Sequence, residues 1–188
     1  MKQEELAHVL RAAAHILEQT DFLVIGTAAI LGSYEEELLP IRATRSREAD
    51  LAPFNEDSDG NKSMLIEGAL GFGSEFEKHN TYYAYGVDFR TAVAPYGWQQ
   101  RLVLYDPPLA APGRGWCLEP YDLAAAKLGA GREKDFEFVA ALLDAKIIDR
   151  LNLLARLTLL PKDRIAPAKI NQAINWLKNQ NLERPEST

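Results

Sequence analysis

The alternation of apolar and polar residues predicts a helix followed by a sheet-forming region. Residues 3–19 carry apolar side chains at helical spacing, on one stripe of a helix with an acidic first turn. Residues 22–25 form a short, continuous apolar run, which is typical of a buried strand. A helix is predicted over 27–37, where Pro40 stops it, and a second core strand over 48–54.

The rest of the chain alternates short strand and helix patterns before becoming helical. Further helices are predicted at 62–70, 74–79, 120–131, 132–143, 149–160 and 167–182, with a polar tail at 183–188, and further strands at 81–87, 98–105 and 116–118. Because Pro95 and Gly97 mark a turn between two of these strands, we expect 81–87 and 98–105 to form a hairpin or meander.

Composition narrows the class of protein. A chain of 188 residues with 47% hydrophobic content is long enough for one domain with a proper core. Its net charge of -6 means that any contact with RNA would have to be local.

Cys117 is the only cysteine, so an intramolecular disulfide is excluded, and its apolar neighbours predict a core position. No signal peptide or apolar span is visible, so we expect a soluble, cytoplasmic protein without a membrane partner.

Two carboxylates and a nearby turn are the strongest candidates for chemistry. Glu48 and Asp50 lie at positions i and i+2 of a predicted strand, so both point to one face, where they can share a divalent cation. About twenty residues earlier, Gly26 and Thr27 end an apolar strand with a tight turn and a hydroxyl group. This combination predicts a metal-assisted phosphate site.

A short basic cluster precedes the carboxylates. Arg42, Arg45 and Arg47 surround the segment that leads into Glu48, where they could offset the charge of a bound nucleotide. The alternative is a solvated surface loop, because short basic clusters are common on protein surfaces.

Four stretches of the sequence carry a resemblance to a known superfamily. They are Val24-Ile25-Gly26-Thr27-Ala28-Ala29-Ile30-Leu31-Gly32, Ser46-Arg47-Glu48-Ala49-Asp50-Leu51, Gly97-Trp98-Gln99-Gln100-Arg101-Leu102 and the segment 122–135, which ends in Arg132-Glu133-Lys134-Asp135. Their order resembles nucleotidyltransferases of the polymerase-beta type. The last stretch resembles the Lys…Arg-x-Lys-Asp signature of bacterial toxin-like and abortive-infection enzymes. The other three stretches resemble an uncharacterised bacterial branch of the same superfamily.

The resemblance implies an α+β fold, with a central mixed sheet flanked by helices, in a single domain. Residues 1–118 would form the core with its N-terminal helix, and residues 119–184 the C-terminal helices. It implies transfer of a nucleotide from an NTP to an acceptor, which could be RNA or protein. A toxin-like enzyme would also have an antitoxin-like protein partner.

The resemblance also implies roles for individual residues. Magnesium would be held by Glu48 and Asp50, with Asp88 as third carboxylate and Asp106 in reserve. The catalytic set is Glu48, Asp50, Lys127 and Asp135, and the nucleotide-binding set is Gly26, Thr27, Arg42, Arg47, Lys127 and Arg132. Lys134 would be an accessory cation, and Asp135 would orient one of the cations or accept a proton.

Other interpretations remain open at this point. Arg132 and Asp135 also fit an exposed charged corner between two helices. Glu48 stands where many relatives have Asp, which moves the carboxylate by about 1.5 Å. One alternative is therefore an inert scaffold that binds a nucleotide without turnover. Another is an antitoxin or interaction subunit, based on the amphipathic first helix and the C-terminal helices.

Overall fold

The computed structural model describes residues 1–180 as an α+β fold with a five-stranded mixed sheet. The strands are β1 (Asp21–Ile25), β2 (Glu48–Pro53), β3 (Tyr83–Gly86), β4 (Val103–Tyr105) and β5 (Arg114–Cys117). The helices are α1 (Gln3–Leu17), α2 (Ile41–Thr44), α3 (Asn61–Leu70), α4 (Glu75–Asn80), α5 (Pro120–Ala130), α6 (Glu133–Asp144), α7 (Arg150–Leu157) and α8 (Pro167–Asn179). The predicted tail at 183–188 lies outside the described residues.

The sheet has the order β3-β2-β1-β5-β4, with β1 at its centre. Strand β1 is antiparallel to β2 and parallel to β5, while β3 runs parallel to β2. The predicted hairpin between 81–87 and 98–105 is therefore wrong, because β3 and β4 lie at opposite edges of the sheet. The turn at Gly97, with φ of 78°, instead begins a 3-10 helix over Trp98–Arg101, which shortens the expected strand to β4.

The two faces of β1 pack against different helices. Leu10 of α1 covers the face that carries Val24, where a Cβ on Gly115 would lie 2.9 Å from Val24 Cγ2 and 3.2 Å from Leu10 Cδ1. Helix α3 also packs against β2 and β3. On the other face, α5 contacts a 3-10 helix over Thr27–Gly32 that itself packs on β2 and β5. Side chains on this second face of the sheet are therefore the ones that lie near the C-terminal helices.

The segment 27–37 does not form the continuous helix that its pattern predicted. It contains two 3-10 helices, Thr27–Gly32 and Glu36–Leu38. Four successive residues, Ala28 to Leu31, are buried, so the 3-10 helix Thr27–Gly32 lies inside the protein and lacks an exposed helical face. A Cβ on Gly32 would lie 2.6 Å from Cys117 Sγ, so the chain passes too close to β5 for a longer side chain.

A buried carboxylate joins the helical region to the sheet region. Asp122, in the first turn of α5, is fully buried and accepts two hydrogen bonds from Arg101, at 2.8 and 3.0 Å. Arg156 of α7 donates a third, at 2.6 Å. These charge-assisted bonds fix the start of α5 relative to α7 and to the segment before β4.

Cys117 occupies the predicted core position. It is fully buried, and burial raises the pKa of its thiol to about 12, so it remains a neutral apolar residue. None of the helices within residues 1–180 combines the length and hydrophobicity needed to cross a bilayer.

Candidate functional site

Asp50 and Gly26 are in direct contact at the end of the central strand. Asp50 pairs with Ile25 across the β1–β2 ladder, so its side chain lies beside the turn that begins at Gly26. Gly26 has φ of 72° and ψ of -165°. A Cβ at this position would lie 1.9 Å from Asp50 Oδ2, so the carboxylate occupies the space in which another residue would place its side chain. The expected approach of Asp50 to the Gly26–Thr27 turn is therefore a feature of the fold.

Glu48 lies on the same strand, two residues before Asp50, and borders the same cleft. The cleft has a volume of about 590 Å³, and Gly26 and Thr27 line it together with the two carboxylates. Its remaining walls carry the basic side chains of Arg42, Arg45, Lys127, Arg132 and Lys134, with Ser46, Tyr85, Glu137 and Phe138. We call this space the basic cleft. Five cations around two adjacent carboxylates suit a polyanion bound together with a divalent cation.

The turn contributes less to anion binding than its sequence predicted. An α-helix starting at Thr27 would direct a macrodipole at a bound phosphate, but the helix is of the 3-10 type and ends at Gly32. A helix this short has little macrodipole. The attraction of the basic cleft for an anion therefore comes mainly from its side-chain cations.

Lys127 reaches the carboxylates from α5 and is itself buried. Its Nζ lies 3.3 Å from Asp135 Oδ1 and 4.9 Å from the centre of the Phe138 ring. Asp135 is fully buried and also accepts two hydrogen bonds from Arg132, at 2.6 and 3.2 Å. Arg132, Glu133 and Lys134 are exposed at the junction of α5 and α6, as the charged-corner interpretation expects, but the buried carboxylate of Asp135 holds two cations at the wall of the basic cleft.

The charges at the site perturb one another. The pKa of Asp50 is raised to about 6, mainly by burial and then by the neighbouring charge of Glu48, against the opposing effect of Lys127, Arg132 and Lys134. Burial also lowers the pKa of Lys127, although Asp135 counteracts it. For Asp135, burial would raise the pKa, but the hydrogen bonds and charges of Arg132 and Lys127 lower it overall. The ionised form of Asp50 is thus disfavoured, and a cation bound beside it would stabilise that form.

The two carboxylates fit a magnesium ion. Magnesium in phosphate-handling sites is commonly bound by one or two carboxylates together with waters and the phosphates of the substrate. Glu48 and Asp50 supply that donor set on one face of β2. Among residues 1–180 there is no group of three or more His, Cys, Asp or Glu side chains placed to hold a metal ion.

Three of the residues singled out in the sequence lie elsewhere. Asp88 caps a short 3-10 helix and binds Arg90 Nε at 2.8 and 2.9 Å, and it does not border the basic cleft. Arg47 binds Glu77 at 2.7 Å and the carbonyl of Thr81. Asp106, the reserve carboxylate, is exposed just after β4. Arg42 does border the cleft, where it pairs with Glu137 at 2.6 Å.

Two tyrosines at the site were not identified from the sequence. Parallel pairing places Tyr83 beside Glu48 and Tyr85 beside Asp50. The Tyr83 hydroxyl donates to Glu48 Oε2 at 3.3 Å, and its ring lies edge-on to that of Tyr85 at 5.2 Å. Burial, followed by the charge of Glu48, raises the pKa of Tyr83 to about 12, so it remains a hydrogen-bond donor.

A second cavity meets the basic cleft at Asp50. It has a volume of about 690 Å³ and is lined mainly by aliphatic side chains from β1, α5, the segment 87–94 and the loop before α8, including Ile25, Leu123, Ala126 and Ile165. Four residues border both spaces: Gly26, Asp50, Lys127 and Arg132. We call this second space the apolar chamber. Asp50 and Lys127 therefore form part of the boundary between a polar and an apolar compartment.

A scan against protein-family models found no match, and neither did searches of the curated proteins and of the solved structures. The chemistry of this chain must therefore be inferred from the side chains of the site.

Proposed function

We propose that this protein is a metal-dependent nucleotidyltransferase, which moves a nucleotide from an NTP to a hydroxyl group of an acceptor. The observation that carries the proposal is the contact of Asp50 with the Gly26 turn, beside Glu48 and inside a ring of five basic side chains. A triphosphate needs several cations, and a phosphoryl group under attack needs a divalent ion held by carboxylates. The nucleotidyltransferase resemblance of the same residues supports this assignment.

The basic cleft supplies a role for each group. Lys127, Arg132 and Lys134 would neutralise the phosphates, while the buried Asp135 holds the first two in place. The Thr27 hydroxyl group would donate a hydrogen bond to a phosphate oxygen. Glu48 and Asp50 would hold magnesium, which, when bound, offsets the negative charge of the phosphates in the transition state.

The transfer itself is an exchange of phosphorus–oxygen bonds. The acceptor oxygen forms a bond to the α-phosphorus, and the bond from that phosphorus to the oxygen bridging to the β-phosphate breaks. Pyrophosphate leaves with the electron pair of the broken bond, and the hydroxyl proton of the acceptor passes to water. The cations of the basic cleft favour this step by attracting the charge that accumulates on pyrophosphate.

A catalytically inert nucleotide-binding protein is the second candidate. Two observations favour it: the carboxylate pair contains Glu48 in place of Asp, and residues 1–180 supply no third carboxylate to a metal cluster. An inert protein would bind an NTP in the presence of magnesium without releasing pyrophosphate. A pure interaction subunit, such as an antitoxin, would not bind the nucleotide at all.

The decisive experiment measures binding and turnover on the same preparation. Magnesium-dependent binding of each of the four NTPs is followed by calorimetry, and turnover by pyrophosphate release and by transfer of α-labelled phosphate to RNA and protein. We expect both signals from the wild type and neither from Asp50→Asn, whereas the exposed loop variant Asp59→Asn serves as a matched control that retains both. Binding without release would establish the inert protein, and absence of binding would exclude both nucleotide-based functions.

A further inference from the structure

We propose that the apolar chamber is the acceptor subsite, and that it takes a small organic anion with an apolar body and a reactive hydroxyl group. This inference rests on the proposed function, because transfer requires a second substrate beside the NTP. It goes further by giving that substrate a place and a chemical class. Three observations carry it: the position of the chamber, the composition of its walls and the charge at its border.

The position of the chamber suits an attacking group. The chamber meets the basic cleft at Asp50 and Lys127, which border both spaces. An NTP whose β- and γ-phosphates lie among Arg42, Arg45 and Lys134 therefore places its α-phosphate toward that junction. In an in-line displacement the acceptor oxygen approaches from the side opposite the departing pyrophosphate. The apolar chamber does not include Arg42, Arg45 or Lys134, so we place the acceptor there, away from the cations that would hold the β- and γ-phosphates.

The walls of the chamber select an apolar body. Apart from charged residues, they are formed by small and branched aliphatic side chains, such as Val87, Val93, Leu118 and Leu123. A volume of about 690 Å³ is in the range of small-molecule sites and would leave room for one or two rings. Burying the apolar surface of a ligand against these walls stabilises the complex. The phosphate chain of an NTP would gain nothing from such walls.

The charged side chains of the chamber select an anion. It is bordered by four basic residues, Lys127, Arg132, Arg164 and Lys169, and by one carboxylate, Asp50. Arg164 and Lys169 do not border the basic cleft, so their charge serves the chamber alone. Within residues 1–180 neither of them forms a salt bridge with a carboxylate.

Backbone carbonyl groups hold both cations in place while leaving donors free. Arg164 donates to the carbonyl groups of Ala92 and Arg90, at 2.9 and 2.8 Å. Lys169 donates one hydrogen bond to the carbonyl of Ala130, at 3.3 Å. A guanidinium group has five N–H donors and an ammonium group three, so both retain donors for an anionic substituent. Positioned cations of this kind lose less side-chain entropy when a ligand binds.

The test uses 1-naphthyl phosphate as the probe, with 1-naphthol and inorganic phosphate as its two halves. Calorimetry without magnesium or NTP measures each affinity for the full chain. We expect 1-naphthyl phosphate to bind at least tenfold more tightly than either half. The Arg164→Met/Lys169→Met double variant should lose this preference while retaining the affinity for 1-naphthol. Ala166→Trp, at an exposed residue bordering the chamber, should weaken both naphthyl probes at least tenfold.

A variant of the basic cleft provides the matched control. Arg42→Met/Arg45→Met also removes two cations, and it should leave the affinity for 1-naphthyl phosphate within about twofold while weakening NTP binding. Because Arg164 also holds two backbone carbonyl groups, Lys169→Met alone serves as a second variant if the double variant melts early.

Several results would overturn the acceptor assignment without touching the proposed function. They are the absence of probe binding at millimolar concentration, and a loss of binding in Arg42→Met/Arg45→Met but not in the chamber variants. A dimer in solution that Ala166→Trp dissociates would assign the chamber to a second copy of this chain. Conversely, probe binding in a protein that never releases pyrophosphate would retain the chamber as an anion site and refute the transferase.

Discussion

Asp50 Oδ2 lies only 1.9 Å from the point that a Cβ atom at Gly26 would occupy if this residue were not glycine. The site therefore depends on a missing side chain as much as on a present one. Gly26 also adopts φ of 72° with ψ of -165°, a region of backbone space that is essentially restricted to glycine. Two independent effects thus make position 26 intolerant of substitution.

We predict that Gly26→Ala displaces the Asp50 carboxylate and abolishes magnesium-dependent nucleotide binding. Gly60→Ala is the matched control, because Gly60 has φ of 73° but a Cβ added there would have no atom within 4 Å. The control should cost about 1 kcal/mol of unfolding free energy from its backbone alone, and Gly26→Ala should cost more. The measurement is denaturant unfolding combined with calorimetric titration of nucleotide. Equal costs for the two variants, with binding retained, would show that the contact is not restrictive.

The perturbed carboxyl of Asp50 gives a pH-dependent prediction for the metal-free protein. Its pKa is about 6 in the folded state and 3.8 in the reference state, so the unfolded chain releases this proton at lower pH than the folded one. The contribution of the protonated Asp50 carboxyl to the free energy of unfolding is therefore fully present below about pH 4, and it is lost as the pH rises through 6. At pH 7.5, Asp50→Asn should stabilise the protein by on the order of 3 kcal/mol, with little gain at pH 4.

Thermal unfolding at the two pH values measures this difference, and Asp59→Asn again controls for the removal of one negative charge. Magnesium should raise the midpoint of the wild type at pH 7.5 and leave that of Asp50→Asn unchanged, because a ligand that binds only the folded state stabilises it. A variant that melts below the wild type at pH 7.5 would mean that the carboxylate has a structural role.

Lys127 and Asp135 should respond differently to substitution, although they contact each other. Lys127→Met keeps an apolar chain beside Phe138 and leaves Asp135 bonded to Arg132, so the fold should survive while NTP affinity falls at least tenfold. Asp135→Ala leaves a buried cation without its carboxylate and should cost about 3–5 kcal/mol. Unfolding midpoints and nucleotide titrations of the two variants check this, and the prediction fails if Lys127→Met unfolds more easily than Asp135→Ala.

The Arg101–Asp122–Arg156 network should be structural and independent of nucleotide. Asp122 is fully buried, and its removal would leave two guanidinium groups without their shared carboxylate. We expect Asp122→Ala to destabilise the fold by about 3–5 kcal/mol, whereas Asp106→Ala, at an exposed carboxylate, should change stability by less than about 0.5 kcal/mol. Denaturant titration measures both, and a neutral Asp122→Ala would contradict the assignment.

Local patterns in the sequence correctly predicted that Glu48 and Asp50 lie on one face of a strand. Glu48 and Asp50 alternate with the buried Ala49 and Leu51, and a period of two is visible without any knowledge of the neighbouring strands. Helices α3, α5 and α6 likewise begin and end within a few residues of their predicted bounds. The nucleotidyltransferase arrangement itself stays a prediction.

Features that depend on distant pairing were not visible in the sequence. Tyr83 lies beside Glu48 only because β3 pairs with β2 in parallel, and no local pattern distinguishes that pairing from a hairpin with β4. The apolar chamber is formed by alanine, valine and leucine residues from separate elements, and such residues look like ordinary core. The position of Asp88 at a strand end predicts a metal ligand, but the neighbouring Arg90 binds this carboxylate in the structure.

The connection between β1 and β2 is longer than the sheet requires. Antiparallel neighbours can be joined by two residues, yet residues 26–47 intervene here and contribute Arg42 and Arg45 to the basic cleft. Because the β1–β2 ladder fixes both ends of this excursion, and loop-closure entropy changes slowly with length, its exposed part around Glu37 and Leu38 can change in length without moving Asp50, whereas the buried residues Ala28 to Leu31 have to stay. Under the proposed function, Arg42 and Arg45 lie in a stretch of chain separate from the strand that holds Glu48 and Asp50, so the anion preference of the basic cleft can change without rebuilding that strand.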